Sequence, residues 1–330
     1  MKRAILWCLA AGFGLATAQN VLAVGHDPLF SSSFEKPTDL PSSDAEAARF
    51  LTQASYGPNV AEIARLRAIG YSEWLRQEFN KPATAARPQL EAVNAALLGA
   101  GQNGVSQNQR LDRWFHTAAT GNDQLRQRVA FALSQILVIS DQNGAISGEP
   151  IQIGEYWDIL ARNAFGNYHD LLDETTWNPS MGKYLSHFRN QKASTDGLRQ
   201  PDENYAREVM QLFTIGLIER NDDFSPMLSG GQPIPTYDQN VVTNYAKVFT
   251  GFNYNNATSI SNGTNTYLRM TCIETAHDAT AKILVDNSPL PAGQSCSNDV
   301  ADGLDLLFAH PNIAPFISRQ LIQRFTTSSP

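Results

Sequence analysis

The chain has 330 residues, 42% of them hydrophobic and 17% charged, which is enough apolar material for a sizeable core in one large domain or two closely packed ones. With 25 Lys and Arg against 32 Asp and Glu, its formal charge is −7. It therefore lacks the cationic surplus that nonspecific binding to nucleic acid or to an anionic lipid surface requires.

The first residues read MKRAILWCLAAGFGLATAQNVLA, with Lys2 and Arg3 ahead of an apolar run from Ala4 to Ala18 and small residues at Ala16, Ala18 and Ala23. This layout predicts a secretory signal peptide over residues 1–23. The run falls short of the roughly 20 apolar residues that cross a hydrocarbon core. A periplasmic or secreted protein is expected, with no integral membrane segment once the signal is removed. Residues 24–43 carry Gly, Pro and Ser without a sustained period and predict a loosely ordered leader.

From Asp44 onward the apolar residues recur every three or four positions. Ser43-Asp44-Ala45-Glu46 opens AARFLTQA with its own cap. Helices are predicted from Val60 to Ile69, stopped by Gly70, from Ser72 to Phe79, from Pro88 to Leu98, and from Gln107 to Thr120. Asp123 leads into RVAFALSQILVIS, read as one central buried helix. Further helices follow over Gln152 to Ala164, Asn167 to Thr175, and a short one beginning at Asn178 and ending near His187. Beyond the polar loop FRNQKASTDGLRQ, the segment PDENYAREVMQLFTIGL predicts a helix over Asp202 to Leu217, with Pro201 at its start and Gly216 near its stop. A Gly/Pro loop, a helix from Tyr237 to Thr250, and a polar Asn-rich stretch with a hairpin through Thr266 to Met270 come next. Asp299 to Leu307 and Ile313 to Phe325 close the chain as helices. The expected fold is mainly α: an irregular, orthogonal multi-helix bundle with long polar loops and one small β-hairpin near 260–275.

Cys8 leaves with the signal, and the remaining pair, Cys272 and Cys296, is expected to close a disulfide in an oxidising compartment. Such a bridge stabilises by on the order of 3 kcal/mol on a loop-entropy argument. There is no CxxC, GxSxG, HExxH, GxGxxG, Walker loop or EF-hand pattern, so thiol exchange, serine hydrolysis, zincin, dinucleotide, nucleotide and calcium-loop chemistry lack support.

Several segments together resemble the DUF1800 family: DQLRQRVAFALSQILVIS (123–140), YWDILARNAFGNYHDLLDETTWNPSMGKYLSHFRNQKA (156–193), PDENYAREVMQLFTIGL (201–217), TYDQNVVTNYAKVFTGF (236–252), AHDATAKILV (276–285), and the run from Leu306 to Pro330. The resemblance covers the chain from about Asp44 and implies a single helical domain over 44–330 that is cut short at its C-terminus. It also implies export and a partner from another exported family, DUF1501, whose genes often lie beside those of this family. No reaction comes with it.

The residues suggest two kinds of chemistry. On the helix from Asp202, Glu203 and Arg207 are four apart, as are Asn204 and Glu208, while Tyr205, Val209, Leu212 and Phe213 form an apolar face. Acid, amide and base side by side suit a cleft for a metal or a sugar, but structural ion pairs near a helix start already explain them more simply. His187 would approach this helix if the polar loop folds back, and His277 is followed by Asp278. Glu203, Glu208 and His277 are thus the candidate catalytic residues, with Asn204, Tyr205, Arg207 and His187 as substrate contacts. His187, Glu208 and His277 together would supply two imidazoles and a carboxylate to a divalent metal. Alternatively Glu203 or Glu208 faces Asp202 or Asp278 across a glycan, with Trp157, Trp177, Tyr184 and Tyr205 able to stack on sugars or to fill a core. The leading expectation is a structural or interaction component of the cell envelope working with a partner protein; an envelope hydrolase, metal-assisted or acting on polysaccharide, is the alternative.

Overall fold

The computed structural model describes residues 39–330; the predicted signal peptide over 1–23 and residues 24–38 of the predicted leader lie outside the described residues. Helices dominate. In chain order they are α1 (Asp44–Ala54), α2 (Val60–Asn80), α3 (Arg87–Gly99), α4 (Gln107–Thr120), α5 (Gln124–Ser134), α6 (Pro150–Arg162), α7 (Tyr168–Thr176), α8 (Pro179–Tyr184), α9 (Asn204–Gln211), α10 (Gln239–Val248), α11 (Cys296–Ala309) and α12 (Ile313–Phe325). Three two-stranded antiparallel pairs interrupt them: β1 (Leu228–Ser229) with β2 (Gln232–Pro233), β3 (Phe252–Asn253) with β4 (Thr271–Cys272), and β5 (Lys282–Ile283) with β6 (Pro289–Leu290). The mainly helical, irregular bundle with small hairpins and no closed sheet is what the sequence led us to expect.

Local chemistry sets most of the helix starts. Side-chain oxygens of Ser43, Asn59, Ser106, Asn167, Asn178, Asp238 and Ser295 each accept a backbone N–H in the first turn of the helix that follows. Gly70 breaks α2 as predicted: its φ of 83° is left-handed, and a Cβ there would lie 2.4 Å from an Asp39 carboxylate oxygen.

α5 and α6 form the centre. The first packs against α1, α2, α4, α6 and α12, the second against α3, α4, α5, α7 and α8, and the core runs through both. Buried residues therefore occupy almost the whole circumference of α6, including Ile153, Tyr156, Ile159 and Leu160.

Three expectations need correcting. The central helix ends at Ser134 rather than running to Ser140. Ile136 and Leu137 turn inward to bury their side chains, and the freed carbonyls are taken from elsewhere: Tyr156 Oη donates to Leu137 O at 2.6 Å and Arg324 Nη2 to Gln135 O at 2.8 Å. β-branched residues at 136, 138 and 139 weaken helical propagation there. The helix predicted to reach Leu217 ends at Gln211, where the turns widen and the Ile215 and Gly216 amides both reach back to Met210 O. This swings Phe213 into the core, while Gly216 adopts φ 71° under Phe316, whose ring carbon a Cβ would meet at 2.7 Å. Finally, the strand near 270 finds its partner across a long loop at Phe252–Asn253, and a two-residue hairpin forms in the Gly/Pro loop, where Gly230 and Gly231 both take positive φ.

Candidate functional site

The N-terminal end of α9 carries the polar residues that the sequence singles out. Glu203, just before the helix, sits where α9 packs on α10. Arg207 Nη2 donates to Glu203 Oε2 at 2.6 Å and to Gln239 Oε1 at 2.7 Å; Gln239 Nε2 and Thr243 Oγ1 donate to Glu203 at 3.1 and 2.9 Å. Burial pushes the Glu203 carboxyl up, but the bonds from Gln239, Thr243 and Arg207 and the guanidinium charge outweigh it and hold it below the usual range. Glu203 and Arg207 are thus spent on joining two helices.

The second predicted pair does not form. Asn204 Nδ2 donates to Ser186 Oγ at 3.3 Å, and its amide N–H to Asp202 Oδ1 at 2.8 Å. Asp202 Oδ1 also accepts from the Ser186 hydroxyl at 3.2 Å. Ser186 and Arg189, with φ of 63° and 61°, bend the connecting loop back onto α9 so that these groups meet. The Glu208 side chain is left half-buried, its carboxylate with no hydrogen-bond or ion-pair partner among the described residues, and burial raises its carboxyl above the ordinary value. Its charge is felt by the half-buried Tyr237 at the start of α10.

His187 does come back to α9, but in the core. Its ring centroid lies 4.0 Å from that of Tyr205 and 5.2 Å from that of Phe252, and Nε2 donates to Thr176 O at 2.8 Å. Burial lowers its pKa to about 4, so the ring is neutral at ordinary pH. The Tyr205 hydroxyl meets that of Thr176 at 2.6 Å, and the Trp177 ring lies tilted 4.5 Å from that of Phe252. Tyr205 and Trp177 therefore fill the core, while Trp157 and Tyr184 are half-buried.

His277 belongs to a different place, a buried knot that the sequence reading missed in part. Its Nε2 donates to Asp299 Oδ2 at 3.0 Å; Nδ1 lies 3.1 Å from both the hydroxyl and the carbonyl of Thr250. Lys282 Nζ uses its three protons on Asp299 Oδ2 at 2.5 Å, Asp278 O at 2.6 Å and Thr280 O at 2.9 Å. Asp278 itself turns away to accept the Thr280 amide and hydroxyl; desolvation raises its carboxyl, but those bonds and the Lys282 and Lys247 charges bring it below the usual range. Hydroxyl, imidazole and carboxylate in this order match a nucleophilic triad. All three are enclosed, however, and the Thr250 hydroxyl donates to Lys247 O and accepts from the Asp278 amide, so the arrangement ties α10, β5 and α11 together. A signal for it did exist: Lys282 is the one charged residue in the apolar run AKILV, and Asp299 sits in the first turn of α11.

Consequently His187, Glu208 and His277 do not converge, and among the described residues no group of three or more His, Cys, Asp or Glu side chains is placed to hold a metal ion. Next to the knot Cys272 pairs with Cys296, with Cα atoms 6.1 Å apart, which anchors β4 to the start of α11. Glu274 caps the same helix by accepting the Cys296 amide at 3.1 Å.

A cavity of about 20 Å³ lies among Thr84, Arg110, Trp114, Trp157 and Asp158, enough for about one water molecule. Burial pushes the Asp158 carboxyl up to about 6 against the pull of its bonds from the Ala86 and Arg87 amides, which it caps at the start of α3. Outside this cavity the outward side of α4 carries an apolar stripe beside exposed Asn108, Asp112 and His116: Leu111 and Phe115, four residues apart, are 40% and 62% exposed, and Trp114 stands edge-on to Phe115 at 5.0 Å. No described helix is long and apolar enough to cross a membrane.

No curated protein and no solved structure matches the chain. A family model described as a protein of unknown function matches residues 49–330, most of the sequence, and the chain belongs to the DUF1800 family.

Proposed function

We propose that this protein is an exported interaction component of the cell envelope that works by binding a partner protein. The observation that carries the reading is the outward face of α4, where Leu111 and Phe115 are presented to solvent at helical spacing beside the half-buried Trp114. Several of the polar groups that would make a catalytic centre, by contrast, are engaged with one another. The N-terminal leader of basic residues, apolar run and small residues supports delivery to the periplasm or beyond. An exported DUF1501-family protein is the partner that the family resemblance suggests. The test is cross-linking in intact cells from a photoreactive side chain at position 115. A defined protein partner should be captured, and capture should fall at least about tenfold in a Leu111→Asp variant that folds normally. Cross-links to no protein would end this reading.

One observation favours a second reading, an envelope hydrolase acting on polysaccharide: Glu208 is a half-buried carboxyl of raised proton affinity with no bonded partner, beside Tyr237. Glu208→Gln, assayed for hydrolysis of isolated envelope glycans alongside the unaltered protein, decides it. Equal activity of the two removes Glu208 from any catalytic role.

A further inference from the structure

The exposed face of α4 continues into a groove along α5. Gln124, Arg128, Phe131 and, just past the helix end, Gln135 are spaced four, three and four residues apart and form its outer stripe, all half-buried or exposed. Tyr56 and Trp114 make one wall, with ring centroids 6.2 and 5.7 Å from that of Phe131. The last turn of α12 makes the other. Arg128 lies 4.9 Å over the Phe325 ring and donates to Arg324 O at 2.5 Å, and Arg324 in turn donates to Gln135 O.

The charge in this groove is one-sided. Neither Arg128 nor Arg324 has a carboxylate partner among the described residues. The bonds they make go to main-chain carbonyls, and two of their nitrogens, Arg128 Nη1 and Arg324 Nε, are enclosed without a hydrogen bond. The ionisable groups that bear on them are phenols, Tyr56 on Arg128 and Tyr168 on Arg324. Asp123, which Tyr56 also feels, is buried and holds Thr84 and Gln127. Elsewhere this acidic chain closes Arg65, Arg87, Arg110 and Arg162 in carboxylate pairs, while Arg126, Arg189 and Arg220, like Arg128 and Arg324, bond to carbonyl oxygens.

We infer that the groove docks a segment of the partner protein in which a carboxylate is flanked by apolar or aromatic side chains, an inference that rests on the interaction reading above. The apolar side chains cover Phe131, Trp114 and Phe115, while the carboxylate supplies the counter-charge that Arg128 and Arg324 lack. Covering the two guanidiniums with an uncharged apolar segment would desolvate them without compensation, and a basic segment would be repelled. Charge therefore selects the occupant and apolar area holds it.

The test uses the full chain and two fluorescently labelled synthetic helical peptides, identical in their Leu and Phe positions, one with Glu and the other with Lys at every polar position. The Glu peptide should bind at least about tenfold more tightly by anisotropy. That preference should fall below about threefold when Arg128→Gln and Arg324→Gln are combined, and survive in Arg128→Lys with Arg324→Lys, which keeps the charge. Equal binding of the two peptides, or a preference that outlasts loss of both guanidiniums, overturns the inference. So does binding of alginate in place of either peptide, or self-association abolished by Phe131→Asp, which would put an acidic glycan or a second copy of the chain in the groove. If position 115 still cross-links a protein while the peptides show no charge preference, the interaction reading stands and only this chemistry falls.

Discussion

Two polar clusters in this protein use the same ingredients and differ in where they sit. The seam between α9 and α10 pairs Glu203 with Arg207 at the surface, with Gln239 and Thr243 in support. The knot between α10, β5 and α11 pairs Asp299 with Lys282 and His277 where no side chain of the three meets solvent. Water screens the first pair and competes for its hydrogen bonds, so its loss is cheap. The second has no water to fall back on, and removing one member strands the others. The more conspicuous motif in the sequence is therefore the weaker support of the fold.

The largest expected effect breaks the knot. Asp299→Ala leaves the Lys282 ammonium buried opposite no carboxylate and should cost about 3–5 kcal/mol in chemical denaturation. Lys282→Met combined with Asp299→Leu removes the charge with its partner and should recover much of that loss. If the single and double variants are equally unstable, packing rather than charge governs the site. Next comes the adjoining disulfide: Cys272→Ser frees a span of 24 residues and should cost about 3 kcal/mol under oxidising conditions, with no difference between the two proteins once reductant is added.

A third prediction moves the comparison to the buried imidazole behind α9. His187 has its pKa lowered from 6.5 to about 4, so the native state resists protonation that the unfolded chain accepts. The stability this contributes is fully present above about pH 6.5 and is lost as pH falls toward 4, about 2–3 kcal/mol at pH 4.5. Urea midpoints at pH 7 and pH 4.5 measure it. His187→Gln should flatten the pH dependence by that amount, and an unchanged slope would show that other groups carry the acid sensitivity.

Legibility followed the range of the forces involved. Caps, glycine stops and apolar periodicity are local, so α4, with Ser106 ahead of it, and the break at Gly70 could be read from the chain alone. The ends of α5 and α9 could not, because distant residues decide them: Tyr156 and Arg324 take the carbonyls at Leu137 and Gln135, and Phe316 closes over Gly216. The same holds for the candidate residues. Glu203 with Arg207 is an i,i+4 pair and could be foreseen. The pairing of His277 with Asp299 and Lys282 spans three elements, and only folding brings it about.

The smallest expected effect concerns Arg207. Its side chain and that of Glu203 remain substantially exposed, and the pair spans one helical turn, so Arg207→Ala should cost less than about 1 kcal/mol, less still at high salt. Gln239 and Thr243 would continue to hold Glu203 to α10 through uncharged hydrogen bonds. Because the fold barely depends on the pair, a folded Arg207→Ala protein isolates what else the guanidinium does. Partner capture from position 115 that is unchanged in this variant would confine binding to the α4 and α5 face, whereas capture lost at unchanged stability would extend the interface across α9.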